Sequence, residues 1–273
     1  MYGAIIGDMA GSRYEWTGSK SCTLPLLTDD CHVTDDSLAT LAVAEALLET
    51  EGAWTSPALT RALIRRLCRM GRRYPDVGWG ERFYTWMTED PTPYGSFGNG
   101  AAMRISPVGW VAESEDEVRR LAYAVTAISH DHPDALLAAE AVAMAIYLAR
   151  RGCTPDDLRH RLTRDYYPEL AEMHIETLHA EYGMDGDGRF MTCAGSVPEA
   201  LIAALEAEDF ETAVRNAVSL GGDADTQAAI AGSVAEALFG IPPHLIDTAL
   251  AHPEELSASL AALAERFADS YGV

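Results

Sequence analysis

Apolar residues recur every three or four positions along most of the chain, which is the repeat of an α-helix with one buried face. The segment Ser37–Glu51 places Leu38, Leu41 and Leu48 on such a face, and Gly52 follows as a predicted helix end. Similar patterns predict helices over Ser56–Arg72, Glu115–Ile128, His132–Arg151, Val197–Glu206, Phe210–Ser219, Thr226–Phe239 and Glu254–Ser270. Alternating runs of β-branched residues, which are typical of strands, are scarce. The sequence therefore predicts an all-α fold.

Two stretches lack the helical pattern and are predicted as loops. Thr88–Asn99 is rich in Gly, Pro and aromatic residues, and Tyr182–Ser196 contains four glycines. Loops of this length are uncommon in compact domains and are often functional where they occur. No shift of composition marks a linker and no repeat recurs, so we expect one domain over residues 1–273.

The composition narrows the classes of function. The 273 residues carry 42 Asp and Glu against 20 Lys and Arg, which gives a formal net charge of −22. Such a surface repels phosphate backbones and anionic lipids, so binding to nucleic acid or to membranes is not expected. The excess of carboxylates is compatible with sites that bind cations. The five cysteines form no CxxC pair. The first residues lack the basic segment of a signal peptide. The longest uncharged apolar run, Ala141–Ala149, is too short to span a bilayer. We therefore expect a cytoplasmic protein, and we expect a monomer.

Two acidic clusters stand directly before predicted helices, and each combines two carboxylates with a hydroxyl. They are Thr34, Asp35 and Asp36, and Asp223, Asp225 and Thr226. Either cluster alone is typical of a helix N-cap, where acidic and hydroxyl groups complement the helix dipole. Together they offer six hard oxygen ligands, which Mg²⁺ and Mn²⁺ prefer. A third acidic tripeptide, Thr28–Asp30, precedes no amphipathic helix and is interpreted as a loop.

The segment Gly98–Arg104 combines small residues with one arginine. Small residues expose backbone N–H groups that can bind phosphate oxygens, and Arg104 adds a positive charge, so the segment is a candidate anion site. The alternative interpretation is a tight turn with a close helix contact. The segment matches neither a dinucleotide-binding fingerprint nor a Walker loop. His130, within Ser129–Pro133, is interpreted as a neutral donor to a phosphate or a ribose rather than as a metal ligand.

The first residues suggest a helix in close contact with another, because Gly7, Ala10 and Gly11 are small. Glu15 follows that helix on a segment that ends near Gly18. A carboxylate beside a polar pocket is a candidate acid or base, and the alternative is that Glu15 is only solvated.

These motifs, in this order, resemble those of the ADP-ribosylglycohydrolases, a family that includes the dinitrogenase reductase-activating glycohydrolase and the serine-specific ADP-ribosylhydrolases. The matching segments are Gly7-Asp8-x-x-Gly11 with Glu15, Thr34-Asp35-Asp36, Gly98-Asn99-Gly100-Ala101-Ala102-Met103-Arg104, Ser129-His130 and Gly221-Gly222-Asp223-Ala224-Asp225-Thr226. They cover nearly the whole chain, and Leu220–Ile241 is the most specific of the matching stretches.

The resemblance implies an all-α fold with a binuclear Mg²⁺ or Mn²⁺ centre. It assigns the metal ligands to Thr34, Asp35, Asp36, Asp223, Asp225 and Thr226, and substrate binding to Gly98, Asn99, Gly100, Met103, Arg104 and His130. Catalytic roles fall to Glu15, as a general acid or a group that gates the metals, and to Asp35 and Asp36, either of which would orient a water. Phe97 and Tyr94 are weaker candidates for stacking on adenine.

The implied activity is hydrolysis of the glycosidic bond that links ADP-ribose to a protein side chain or a small acceptor, with release of ADP-ribose. Such a cleavage passes through an oxocarbenium-like centre, and two metal ions can fix ribose hydroxyls and activate water. Two alternatives stay open: a non-catalytic ADP-ribose-binding protein and a binuclear-metal nucleotide phosphohydrolase. The sequence does not distinguish arginine, serine or another acceptor, nor Mg²⁺ from Mn²⁺.

Overall fold

The structure is a succession of helices, and the connections between them include the long segment 13–34. The computed structural model describes residues 1–51, 53–54, 57–181, 188–252 and 258–272, and within these ranges the chain forms α-helices and two short 3₁₀ helices but no strand. The α-helices are α1 (Tyr2–Ser12), α2 (Asp35–Glu49), α3 (Pro57–Arg73), α4 (Glu81–Thr88), α5 (Gly100–Met103), α6 (Ser106–Val111), α7 (Glu115–Thr126), α8 (Pro133–Ala149), α9 (Pro155–Asp165), α10 (Ile175–Glu181), α11 (Cys193–Leu205), α12 (Phe210–Leu220), α13 (Ala224–Phe239), α14 (Pro243–Ala251) and α15 (Ala258–Tyr271).

The all-α prediction is confirmed, and each helix predicted from periodicity is present with ends shifted by a few residues. Several predicted positions lie outside the described residues: the helix end at Gly52, the helix start at Ser56, the start of the last helix at Glu254, and positions 182–187 of the second predicted loop.

Some helices carry too little periodic signal to be predicted. Helix α9 is an example, because only Leu158 and Leu162 are buried on it. Its start is fixed by a capping box, in which the Thr154 N–H donates to Asp157 Oδ2 at 3.1 Å and the Asp157 N–H donates to Thr154 Oγ1 at 3.2 Å. Capping rather than an apolar stripe therefore defines this helix. The other helices that the periodicity did not predict are short: α4, α5, α6, α10 and α14.

The second predicted loop, Tyr182–Ser196, is wrong over its last residues. Residues Arg189–Met191 form a 3₁₀ helix, and α11 already begins at Cys193. The Thr192 hydroxyl caps α11 by accepting from the Gly195 N–H at 3.1 Å. A Cβ on Gly195 would lie 2.3 Å from the Arg189 carbonyl oxygen. In the sequence Gly195 indicates a loop, but close packing at the start of a helix is what requires glycine there.

Helices α1 and α13 pack backbone against backbone at the centre of the fold. A Cβ on Gly7 would lie 2.0 Å from the Ala228 carbonyl oxygen, and one on Gly11 would lie 2.4 Å from that of Ala224. Only glycine permits this approach, and every residue of α1 is buried. The contact brings the end of α1 to the first turn of α13, where Asp225 lies.

Helix α8 runs through the core, with Ala138, Val142 and Ala145 fully buried. It packs against α6, α7 and α13. Its apolar sequence is explained by this burial. Across the part of the chain that the structure describes, no helix combines the length and the apolar character that crossing a membrane requires.

Candidate functional site

The two acidic clusters occupy the starts of α2 and α13, and these helix starts lie side by side. Thr34 is the N-cap of α2, and Asp223 is the N-cap of α13. The Thr226 hydroxyl donates to Asp36 Oδ2 at 3.2 Å, which joins the two clusters directly. Before Asp223 the backbone turns at Gly221 with φ of 81°, a conformation that favours glycine.

A cavity of about 320 Å³ opens in front of these acids. Its acidic lining comes from Glu15, Asp35, Asp36, Asp223 and Asp225, and the hydroxyl of Thr226 lies beside them. The rest of the lining includes Gly98, Asn99, Gly100, Met103 and His130 from the predicted binding segments. Two predicted site residues, Thr34 and Arg104, are buried behind this lining. The structure thus brings most of the predicted residues to one cavity.

The acidic lining is electrostatically unfavourable by itself. Asp36 and Asp225 are almost completely buried, and burial together with repulsion between the carboxylates raises the pKa of both well above the usual range. Burial raises the pKa of Asp223 to about 6. Burial, with the charges of Asp225 and Asp8, raises the pKa of Glu15 to about 7. A bound cation would relieve this repulsion.

The acids are spaced as cation ligands are. Oxygens of Asp8, Asp36 and Asp225 lie within 4.8 Å of one another, and so do oxygens of Glu15, Asp223 and Asp225. Asp36 Oδ1 is buried and has no hydrogen-bond partner among the described residues. Hard divalent cations take oxygen ligands of this kind, and Asp225 belongs to both groups. The arrangement therefore fits divalent cations in chemistry and in spacing.

Asp8 belongs to a matching sequence motif but received no role from the sequence, and the structure places it at the site. It is fully buried on α1, and its carboxylate accepts hydrogen bonds from the N–H and the hydroxyl of both Thr34 and Ser37. The Thr34 N–H donates at 3.0 Å and its hydroxyl at 2.8 Å. Asp8 therefore holds the first turn of α2, which carries Asp35 and Asp36. A lone Asp within an otherwise apolar helix is the signal that could have found it.

The two predicted loops pair with each other beside the acids. The Asn99 N–H donates to the Met191 carbonyl at 3.1 Å, and the Cys193 N–H donates to the Phe97 carbonyl at 2.9 Å. The side chain of Asn99 donates from Nδ2 to Asp223 Oδ2 at 2.6 Å. Asn99 therefore links the paired loops to the acidic lining and orients one of its carboxylates.

Arg104 does not reach the cavity, contrary to the expectation that it contacts the ligand. It is fully buried, its Nη2 donates to Ser129 Oγ at 2.9 Å, and its guanidinium carbon lies 5.0 Å from the centroid of the Phe83 ring. A cation over an aromatic face recovers part of the lost hydration. Burial lowers the pKa of Arg104 to about 10, so the side chain is still charged at neutral pH. His130 stands between Arg104 and the cavity.

The two aromatic candidates for adenine stacking differ in position. Tyr94 lines the cavity, and its ring centroid lies 6.0 Å from that of His130. Phe97 is 49% exposed and meets His132 edge to face at 5.5 Å between centroids. Of the two, Tyr94 is the one placed against the cavity.

Comparison with known proteins identifies the family. The sequence model of the ADP-ribosylglycohydrolase family matches residues 1–272. The chain belongs to the ADP-ribosylglycohydrolase family. It is therefore a hydrolase of ADP-ribosyl groups, and the resemblance inferred from the motifs is confirmed.

Individual relatives of this ADP-ribosylglycohydrolase agree with the family match. The ADP-ribosylhydrolase ARH3 of Bos taurus is 24% identical over 304 positions, which cover 88% of this chain and 83% of that protein. The human ARH3 is 23% identical with coverage of 88% and 84%. An uncharacterized protein of Archaeoglobus fulgidus is 32% identical over 158 residues, which span about half of either chain (54% and 52%).

The fold is also found in a solved structure. A protein described as an ADP-ribosylglycohydrolase-related protein complex superposes with a TM-score of 0.71 at 24% sequence identity. The superposition covers 97% of this chain and 94% of that one. The all-α architecture is thus shared with that protein over almost its full length.

Proposed function

We propose that this ADP-ribosylglycohydrolase uses Mg²⁺ or Mn²⁺ ions to hydrolyse the glycosidic bond between ADP-ribose and a protein side chain or small acceptor. The observation that carries the proposal is the meeting of two buried acidic clusters at one cavity, joined by the hydrogen bond from Thr226 to Asp36. The relatives named as ADP-ribosylhydrolases support ADP-ribose as the group released.

The residues present fit two divalent cations. We assign as ligands Asp35, Asp36, Asp223, Asp225 and Thr226, which line the cavity, and Thr34, whose hydroxyl lies behind this lining at 3.3 Å from Asp36 Oδ2. The unpartnered Asp36 Oδ1 and the membership of Asp225 in both acidic groups support this assignment. When bound, such ions supply charge neutralisation, orientation of ribose hydroxyls and activation of water.

The acidic side chains also act directly on the reaction. In this proposal Asp35 or Asp36 accepts a hydrogen bond from the attacking water and orients it toward the anomeric carbon. Glu15 lines the same cavity, with an oxygen within 4.8 Å of Asp223 and Asp225, and it protonates the departing side chain. Positive charge develops at the oxocarbenium-like centre, and the acidic lining stabilises that charge.

The remaining lining binds the diphosphate and the ribose. We assign this role to Gly98, Asn99, Gly100, Met103 and His130, which share the cavity with the acids. Of the two aromatic candidates for the adenine, Tyr94 is the one that lines this cavity. The five cysteines are all thiols, a state that suits the reducing cytoplasm, where we propose that the enzyme acts as a monomer. Sedimentation analysis would test the oligomeric state.

The proposal is tested by incubating the enzyme with mono-ADP-ribosylated arginine peptides, serine peptides and small ADP-ribosyl conjugates in Mg²⁺ or Mn²⁺. We expect chromatography to show free ADP-ribose from at least one of these substrates. Binding of ADP-ribose without release from any of them would indicate a non-catalytic binding protein. Release of phosphate from nucleotides in place of ADP-ribose would indicate a phosphohydrolase. Either result would overturn the proposal.

A further inference from the structure

The side chain of Arg104 ends against His130 rather than against the cavity. Its Nη2 lies 3.3 Å from His130 Nδ1 and 2.9 Å from Ser129 Oγ. The Ser129 hydroxyl is itself 2.8 Å from the same His130 nitrogen. Arg104, Ser129 and Nδ1 of His130 therefore form a closed triangle of polar atoms, all of them buried. Phe83 encloses this triangle, because its ring meets both the guanidinium and the imidazole.

The chemistry of the guanidinium decides where His130 carries its proton. An arginine side chain has only donors, so the nitrogen that faces it has to accept. Ser129 Oγ is close enough to accept a proton from His130 Nδ1. A proton on Nδ1 would, however, also point toward an N–H of the positively charged Arg104, which is unfavourable. With Nδ1 unprotonated, Ser129 accepts from Arg104 and donates its own hydrogen to Nδ1. The neutral imidazole then carries its proton on Nε2.

The opposite edge of the imidazole faces the glycine turn at the cavity. A Cβ on Gly100 would lie 3.3 Å from His130 Nε2, and one on Gly98 would lie 3.9 Å from it. Because these positions carry no side chain, Nε2 stays open to a molecule in the cavity that His130 lines. Burial, and then the charge of Arg104, lower the pKa of His130 well below the usual range, which agrees with an uncharged ring.

We propose that Arg104 is a positioning residue that fixes His130 as the neutral tautomer with its proton on Nε2, so that His130 donates a hydrogen bond to a phosphoryl or hydroxyl oxygen of the ligand. Arg104 makes no contact with the ligand. The inference rests on the proposed function only for the identity of that ligand. This positioning role accounts for the burial of the charged Arg104 side chain among Phe83, Ser129 and His130.

The tautomer is measured first in the ligand-free enzyme. Two-bond ¹H–¹⁵N spectra of protein labelled at its eight histidines distinguish a pyrrole-type from a pyridine-type nitrogen, and His130→Gln identifies the His130 signals. We expect a pyridine-type Nδ1 and a pyrrole-type Nε2 from about pH 5 to 8. A protonated Nδ1, or an imidazolium at about pH 6, would overturn the proposal.

Variants then separate positioning from packing. Arg104→Met keeps an unbranched side chain beside Phe83 but removes the donors, so we expect mixed His130 tautomers and roughly tenfold weaker binding of ADP-ribose. In Ser129→Ala, Arg104 still faces Nδ1, so the Nε2–H tautomer should persist. An Arg104→Met variant with the tautomer and the affinity of the wild type would overturn the proposal.

Two further sets of variants, at Arg104 and at His130, complete the test. If Arg104→Met does not fold, Arg104→Lys retains the charge without the fork of donors, and the wild-type spectrum still decides the tautomer. His130→Gln places an amide N–H near the position of Nε2, whereas His130→Asn places it near Nδ1, so Gln should retain more affinity for ADP-ribose than Asn. A lack of ADP-ribose release from every conjugate would refute the proposed function and leave the tautomer measurement unaffected.

Discussion

The hydroxyl of Thr226 donates a hydrogen bond to Oδ2 of Asp36 at 3.2 Å, although the two residues are 190 positions apart in the chain. This contact depends on two others. Gly7 and Gly11 allow α1 to reach α13, and Asp8 on α1 accepts four hydrogen bonds from the first turn of α2. The acids of the site are therefore positioned by backbone packing at the centre of the fold.

Asp225→Asn removes one charge from both acidic groups and preserves the shape of the side chain. We expect ADP-ribose release to fall by more than about 100-fold, because a metal ligand is weakened. In EDTA the same variant should melt at a higher temperature than the wild type, because repulsion between buried carboxylates is reduced.

The control for Asp225→Asn is Asp247→Asn, which changes the same group at an exposed position of α14. It should leave turnover and melting temperature unchanged. Normal turnover in Asp225→Asn would contradict its assignment as a ligand.

Glu15→Gln keeps the size of the side chain and removes its acid function. We expect turnover to fall at least tenfold while the affinity for ADP-ribose stays within about twofold, because general acid catalysis contributes to the transition state and not to ground-state binding. Single-turnover kinetics and calorimetry measure the two quantities. Glu208→Gln, at an exposed position, is the matched control. Unchanged turnover in Glu15→Gln would show that Glu15 is not the general acid.

Asp8→Ala removes the acceptor of four hydrogen bonds and leaves the Thr34 and Ser37 donors buried without it. Buried donors without partners are destabilising, so we expect the free energy of unfolding to fall by about 3 kcal/mol. Urea denaturation measures this change. Wild-type stability in this variant would mean that Asp8 does not hold the first turn of α2.

Gly7→Ala introduces a methyl group that would lie 2.0 Å from the Ala228 carbonyl oxygen. The nearest atoms belong to the backbone of α13 and cannot rotate away, so α1 and α13 have to separate. We expect the free energy of unfolding to fall by about 3 kcal/mol and the affinity for cations to fall with it. Thermal melts with and without Mn²⁺ measure both effects. A variant with wild-type stability and wild-type Mn²⁺ affinity would contradict the role of the α1–α13 contact.

The sequence predicted the long helices and most of the residues that line the cavity, because both have local signals. Helix α2 has a regular apolar repeat, and Asp35 and Asp36 stand beside it at a recognisable helix start. The role of Asp8 was missed because it depends on hydrogen bonds to residues 26 and 29 positions away. Tertiary contacts of this kind leave little trace in the local pattern.

Arg104 illustrates a second limit of sequence reasoning. Its charge next to small residues suggests an anion site, but α5 is only four residues long, and the chain then turns Arg104 into the core beneath His130. The direction of a side chain after so short a helix depends on the packing of Phe83 and Ser129 around it. The type of residue at position 104 therefore could not predict that its side chain points into the core.

In the proposed mechanism, the two acidic clusters hold divalent cations that ADP-ribose release requires. The most direct measurement strips the enzyme with EDTA, removes the chelator, and follows ADP-ribose release from its best conjugate while Mg²⁺ or Mn²⁺ is added back. We predict no release from the stripped enzyme, recovery with Mg²⁺ or Mn²⁺, and no recovery in Asp225→Asn. Full release from the stripped enzyme would contradict a requirement for divalent cations.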